Sequence, residues 1–245
     1  MPVPAPPPRR ARAAWGELDR TSWPGLREQI DAHGPGAAGP RAYPGYPSLP
    51  LPRVRARPWV GLEATLAARR SARRVAGEQP GVRALARLLR FAHGALGAEG
   101  RGPVPSAGGL QALELYLVTL GPGPLEPGPW HYDRAAHALS RLPGPGGREV
   151  WAPRVPSLHT VEGGGLLLLI VGDLARVEER YGGRALRFLL LEAGHLMQDL
   201  CLLSASLGLC TVPLGVALEP EVADALSLLP TDAVLYAGLC GRRLA

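Results

Sequence analysis

Three short segments carry side chains suited to a ligand that is charged at one end and flat at the other: Arg69-Arg70-Ser71-Ala72-Arg73, the turn Pro105-Ser106-Ala107-Gly108-Gly109, and Thr211-Val212-Pro213-Leu214-Gly215-Val216. Guanidinium groups offer planar, paired donors that match a phosphate, so Arg69, Ser71 and Arg73 read as a phosphate-binding set. Glycines after a Pro-Ser turn let backbone approach a flat ring without interference from Cβ. On that ground Pro105, Ser106, Ala107 and Gly109 should face the ring.

A second set could move protons. Arg180-Tyr181 pairs a phenol with a cation that stabilises its phenolate, while arginine itself cannot accept a proton. Of the two, Tyr181 is therefore the acid–base candidate. Glu192 and His195 lie three apart, on one face of a helix. A lone Glu-x-x-His lacks the second motif and extra carboxylates of a di-iron bundle, so it predicts a buried hydrogen-bonded pair and no metal. Cys201, Cys210 and Cys240 have no CxxC spacing and read as buried thiols.

The elements that must position these groups follow from periodicity. Apolar residues predict a helix from Val60 to Arg74 that ends in the arginine-dense turn, and another from Gly81 to Gly97. The alternation after the glycines, Leu113, Leu115, Leu117, predicts a strand. Leu166–Gly172 is short and continuously apolar, as a central strand covered on both faces would be. Asp173 can cap a short helix to Tyr181. A long helix from Ala185 to Leu207, closed by Gly208, is apolar around most of its circumference and must be buried, in a core or against a second subunit. A helix over Pro220–Leu228 and a last strand over Ala233–Leu239 complete an α+β layered domain. Residues 1–58 are rich in Pro, Gly and Arg, with one amphipathic piece near Trp15–Ala32, and read as an arm; residues 59–245 read as one domain.

The chain has 245 residues and a formal net charge of +6, supplied by arginine without a single lysine. Aromatics make up only 5% and no basic stripe alternates with stacking residues, which argues against nucleic-acid binding. No run of about 18 apolar residues predicts a membrane span, and Met1–Ala13 lacks the apolar core of a signal peptide, so the expected location is cytoplasmic.

Taken in order, YPGYPSLPLP from Tyr43, RRSAR, PSAGGL, LELYLV, PWHYD, ERYGGRALRFLLLEAGH, GLCTVPLG and the closing LYAGLCGR resemble the nitroreductase-like FMN enzymes. Within them the chain is similar to the SagB-type or McbC-like dehydrogenases that oxidise azolines in ribosomal peptides. The resemblance spans roughly Tyr43 to Arg243. It implies the nitroreductase fold, a central mixed or antiparallel sheet flanked by helices, with two chains sharing a large helical interface and FMN between them. It implies a precursor peptide as substrate, a cyclodehydratase as partner enzyme, Arg242 as a further phosphate ligand in the place of the family's closing arginine, backbone N–H groups of Gly215 and Val216 facing the flavin's reactive centre, and catalysis by Tyr181 and Arg180, which occupy the place of the family's Lys-Tyr pair. Oxidation of a thiazoline or oxazoline would pass hydride to the flavin and lose a proton, with dioxygen as final oxidant. The sequence departs from the pattern at Arg180, where relatives have lysine, and at Gln111, where they have an aromatic residue. Two other readings remain open: a nicotinamide-dependent nitro or quinone reductase, and a degenerate member that binds peptide or a partner without turnover.

Overall fold

In the computed structural model, residues 41–57, 60–97, 100–215 and 217–244 are described. The continuous apolar run forms β5, Leu166–Asp173, and it lies inside a seven-stranded sheet of order β1-β4-β3-β2-β5-β7-β6. The other strands are β1 (Ser48–Pro50), β2 (Leu113–Thr119), β3 (Pro129–Asp133), β4 (Ala138–Arg141), β6 (Leu209–Leu214) and β7 (Asp232–Arg242). Every strand pair is antiparallel, so the expected mixed or antiparallel sheet resolves to the antiparallel form.

Both faces of this sheet are covered, which is why β5 shows no polar alternation. Leu166, Leu168 and Ile170 point to a layer made by α2 (Val82–His93) and α5 (Ala185–Ser206). Leu167, Leu169 and Val171 point to the other face, under α3 (Arg148–Trp151) and α6 (Glu219–Leu226). Each fully buried Leu of this kind stabilises the fold by roughly 1.5–3 kcal/mol. The helix α2 buries Leu85, Leu88, Leu89 and Ala92 at three- and four-residue spacing.

Asp173 caps α4 (Leu174–Tyr181), its carboxylate accepting from the Arg176 N–H at 3.2 Å. The helix α5 runs 22 residues and closes before Gly208, whose φ of +70° suits a left-handed stop. Leu189, Leu196 and Leu200 bury one side of it in the core, while Leu186, Leu190 and Leu191 stay exposed. The first helix, α1, is shorter than its pattern predicted. It covers only Leu62–Ala68, and RRSAR continues from it as extended chain.

Two elements escape the sequence signals. β3 and β4 form a hairpin whose turn holds no Gly or Pro; Asp133 accepts from the N–H groups of Ala135 and Ala136, and His137 takes φ +52°. β6 contains Pro213, which its place at the sheet edge tolerates. Inside the segment read as an arm, Ser48–Pro50 pairs with β4 and Arg41 is held against Asp232 at 2.6 and 2.8 Å. The helical piece expected near Trp15–Ala32 lies outside the described residues.

Candidate functional site

Apart from Gly215 and Val216, the predicted site residues fall into two groups at opposite ends of the sheet. At the first end, Arg69 leaves α1 in extended conformation, φ −60° and ψ 131°. The chain then docks on the end of β7: Ala76 N–H donates to the Arg242 carbonyl at 2.9 Å, and Val75 bridges to Arg243. Gly241 permits this approach, since a Cβ there would meet the Ala76 carbonyl at 2.6 Å. Arg69, Ser71, Arg73 and Arg242 are thereby brought together although the last is far away in sequence. Arg69 reaches the Ser71 hydroxyl at 3.4 Å. Arg74 pairs with Glu162 at 2.9 Å, and Arg70 donates to the carbonyls of Ala67 and Arg69. The side chains of Arg73 and Arg242 are exposed and have no polar partner among the described residues.

At the second end, Ala107–Gly109 forms a single 3-10 turn leading toward β2. Three of the four residues Gly108–Gln111 are left-handed: Gly108 at φ +59°, Gly109 at +71° and Gln111 at +52°. For glutamine such a conformation is strained, and other groups must hold it. Ser106 Oγ accepts from the Gln111 N–H at 2.8 Å, and Glu192 Oε1 accepts from the Ala107 N–H at 2.6 Å. Arg180, at the end of α4, donates to the Gly108 carbonyl at 3.4 Å. The Tyr181 ring is buried against Phe188, centroids 4.8 Å apart, with the Arg180 guanidinium over it. A Cβ on Gly108 would lie 2.8 Å from both the Tyr181 hydroxyl and Arg180 Nη1, so only glycine lets the phenol reach the turn. Pro105–Gly109 and the Arg180-Tyr181 pair, more than seventy residues apart, therefore meet.

Gly215 belongs to neither cluster. It leaves β6 exposed at the mouth of a pocket of about 360 Å³ lined by Leu190 and Ala193 of α5 and by Val234–Ala237 of β7. Val216 lies outside the described residues. The helix α5 lines this pocket with Leu190 and Ala193 and packs on the Pro105–Gly109 turn, on α2 and on β6. β5 spans the distance between the two sheet ends, roughly 23 Å at about 3.3 Å per residue.

One expectation is corrected. Glu192 and His195 do not bond each other: Glu192 turns inward to the Ala107 N–H, which has no other acceptor, and His195 is exposed. Burial raises the Glu192 carboxyl above its ordinary range, against the bonds from Ala107 and Ser106. The three cysteines are free and buried, with burial pushing the Cys201 and Cys240 thiols up to about 11.

A buried polar cluster was missed. His131 Nε2 meets Glu114 Oε2 at 2.9 Å, Glu114 also accepts from the Arg41 N–H, and Tyr43 and Tyr116 share a hydrogen bond at 2.7 Å. Burial raises the Glu114 carboxyl, but the bond and charge of His131, with Arg41 beyond, bring it below its usual range. The signal was Glu114 interrupting an apolar alternation; its partners come from β3 and from the segment before β1.

Comparison with known proteins agrees with this architecture. The nitroreductase family model matches residues 66–242. A protein of Methanocaldococcus jannaschii assigned as a nitroreductase is 29% identical over 170 residues, 69% of this chain and 85% of its own length. Among solved structures, a nitroreductase-assigned protein of Ralstonia eutropha superposes with a TM-score of 0.71 at 22% identity, covering 84% of this chain and 94% of that one. A chain of the E. coli microcin synthetase McbBCD complex with truncated pro-MccB17 bound superposes with a TM-score of 0.66 at 16% identity, covering 98% of this chain and 95% of that one.

Proposed function

The chain belongs to the nitroreductase family, and from that premise we propose that it is an FMN-dependent dehydrogenase that oxidises thiazoline or oxazoline rings of a ribosomally made peptide to thiazole or oxazole. The observation that carries this reading is the meeting of Tyr181 with Gly108, which brings the one proton-exchanging member of the Arg180-Tyr181 pair against the turn assigned to the flavin ring. Likeness over nearly the whole chain to a component of a peptide-modifying synthetase supports the same reading.

The donor set fits FMN. Arg69, Arg73 and Arg242, with the Ser71 hydroxyl, would hold the phosphate by charge-assisted bonds, and no carboxylate pairs with Arg73 or Arg242 among the described residues. When bound, FMN supplies the hydride acceptor. Tyr181 takes the proton that leaves the ring, and the neighbouring guanidinium of Arg180 stabilises its phenolate. Pro105, Ser106, Ala107 and Gly109 shape the ring end, and Gly215 and Val216 border the reactive centre.

We further assign the complete site to a homodimer. Because the arginines and the Pro105–Gly109 turn lie at opposite ends of the sheet, roughly 23 Å apart along β5, one chain cannot offer both to one FMN, so the arginines come from one copy and the turn and Tyr181 from the other. A second copy packed on the exposed Leu186, Leu190 and Leu191 can supply the missing half. A precursor peptide is the substrate, a cyclodehydratase the partner that makes the azoline, and the cytoplasm the setting.

A thiazoline peptide added anaerobically should bleach the bound flavin and lose two hydrogens by mass. Arg180→Lys should leave that rate equal or higher. Bleaching by NADPH with no response to the peptide would replace this reading by the nitro or quinone reductase, which the Ralstonia and Methanocaldococcus relatives favour.

A further inference from the structure

Glu192 has no place in the chemistry described so far, and the fold gives it a poor reason to be acidic. It is 5% exposed, and no cation contributes to its environment; burial alone raises its carboxyl. For stability alone, an apolar residue at this core-facing position of α5 would cost less than a buried carboxyl. What the carboxyl does is reach across 85 positions of sequence to the Ala107 N–H at 2.6 Å and to the Ser106 side chain. These bonds fall on a turn with three left-handed residues in four, of which Gln111 pays a conformational penalty. Arg180 holds the same turn from the opposite side, at the Gly108 carbonyl. Behind the turn, a cavity of about 10 Å³, room for about one water, is lined by His93, Ser106, Gln111 and Glu192. The turn is thus clamped between α4 and α5, with little space for it to relax.

We propose that Glu192 is a positioning residue that presets the Pro105–Gly109 turn for the flavin ring, acting from α5 through the Ala107 N–H and the Ser106 hydroxyl. This rests on the FMN reading above. The same helix carries the exposed leucines of the proposed dimer face, so the carboxyl also fixes how the turn is presented to the second copy. Glu192→Gln keeps an acceptor for Ala107; Glu192→Leu removes it and keeps the volume.

The test uses the full chain and free FMN as probe, with affinity read from quenching of FMN fluorescence, the visible band of the bound flavin, and exchange of the Ala107 amide without FMN. Glu192→Leu should weaken FMN about tenfold or more, shift the flavin band and speed the Ala107 amide. Its melting temperature without FMN should equal or exceed the parent's. Glu192→Gln should restore affinity and band to near the parental values. Parental affinity and band position in Glu192→Leu would overturn the proposal, as would a loss matched by a lower melting temperature and not rescued by Gln. A parental protein that binds no FMN would overturn the flavin reading itself, and this proposal with it; the amide exchange would then still report whether the tether exists.

Discussion

The two ends of the sheet handle polar groups in opposite ways. At the arginine end, the Arg73 and Arg242 side chains stand exposed and, among the described residues, without partners, on backbone anchored by Gly241 and the Ala76 N–H. At the turn end, nearly every donor and acceptor is taken within the chain: Ala107 by Glu192, Gln111 by Ser106, Gly108 by Arg180. On the proposed reading, the difference corresponds to what each end would recognise. A phosphate brings its own charge and needs free cations, so the scaffold fixes only the backbone. A flat ring brings little charge and is recognised by shape, so the surface it meets must be set in advance.

The strongest way to break this contrast acts at the turn end. Tyr181→Phe keeps the ring packed on Phe188 and removes only the hydroxyl beside Gly108, so FMN binding should survive. Single-turnover flavin bleaching by a thiazoline peptide should slow by about a hundred- to ten-thousandfold. A parental rate would leave the Arg180-Tyr181 pair as helix packing.

At the arginine end the effect should be smaller and confined to binding. Arg69→Ala or Arg73→Ala removes one charge-assisted contact of roughly 1.5–3 kcal/mol and should weaken FMN about tenfold or more. Because these residues are half-exposed and exposed, the melting temperature of the FMN-free chain should hardly change. Unchanged FMN retention in both variants would remove the phosphate assignment.

The smallest effect sharpens the contrast through pH. His93, in the small cavity behind the turn, is pushed down to about 4 by burial, with the charge of Arg134 adding to it. A histidine with a lowered folded value contributes stability that is present above about 6.5 and is lost as pH falls toward 4. Melting temperature should therefore decline across that window. His93→Gln, which keeps a donor for the Leu113 carbonyl, should flatten the decline by a few degrees. An identical slope in the variant would show that His93 is not the group responsible.

Much of this was legible because local chemistry and position coincide. The run of Leu166–Val171 could only be a doubly covered strand, and Asp173, Gly208 and the arginines of RRSAR announce themselves by residue type. The hairpin of β3 and β4 was hidden because its turn uses His137 where a glycine would signal the bend. α1 ended early because the chain after it, from Arg73 to Ala76, exchanges helical bonds for bonds to Glu162 and Arg242, partners from distant segments. Glu192 showed its type and its helix face but not its acceptor role, since the free N–H of Ala107 exists only once the turn is folded against α5.

The central claim is that one flavin site takes its arginines from one copy and its turn and tyrosine from the other, and mixed dimers test it most directly. An Arg73→Ala chain, inactive for want of the phosphate contact at limiting FMN, is co-refolded or co-expressed with a Tyr181→Phe chain, inactive in proton transfer. If the site is shared, each hybrid dimer has one site with both lesions and one with neither, and azoline-dependent flavin bleaching returns in the mixture. If bleaching stays at the level of the two variants measured alone while hybrid dimers are present by mass, each chain builds its own site and the account is wrong.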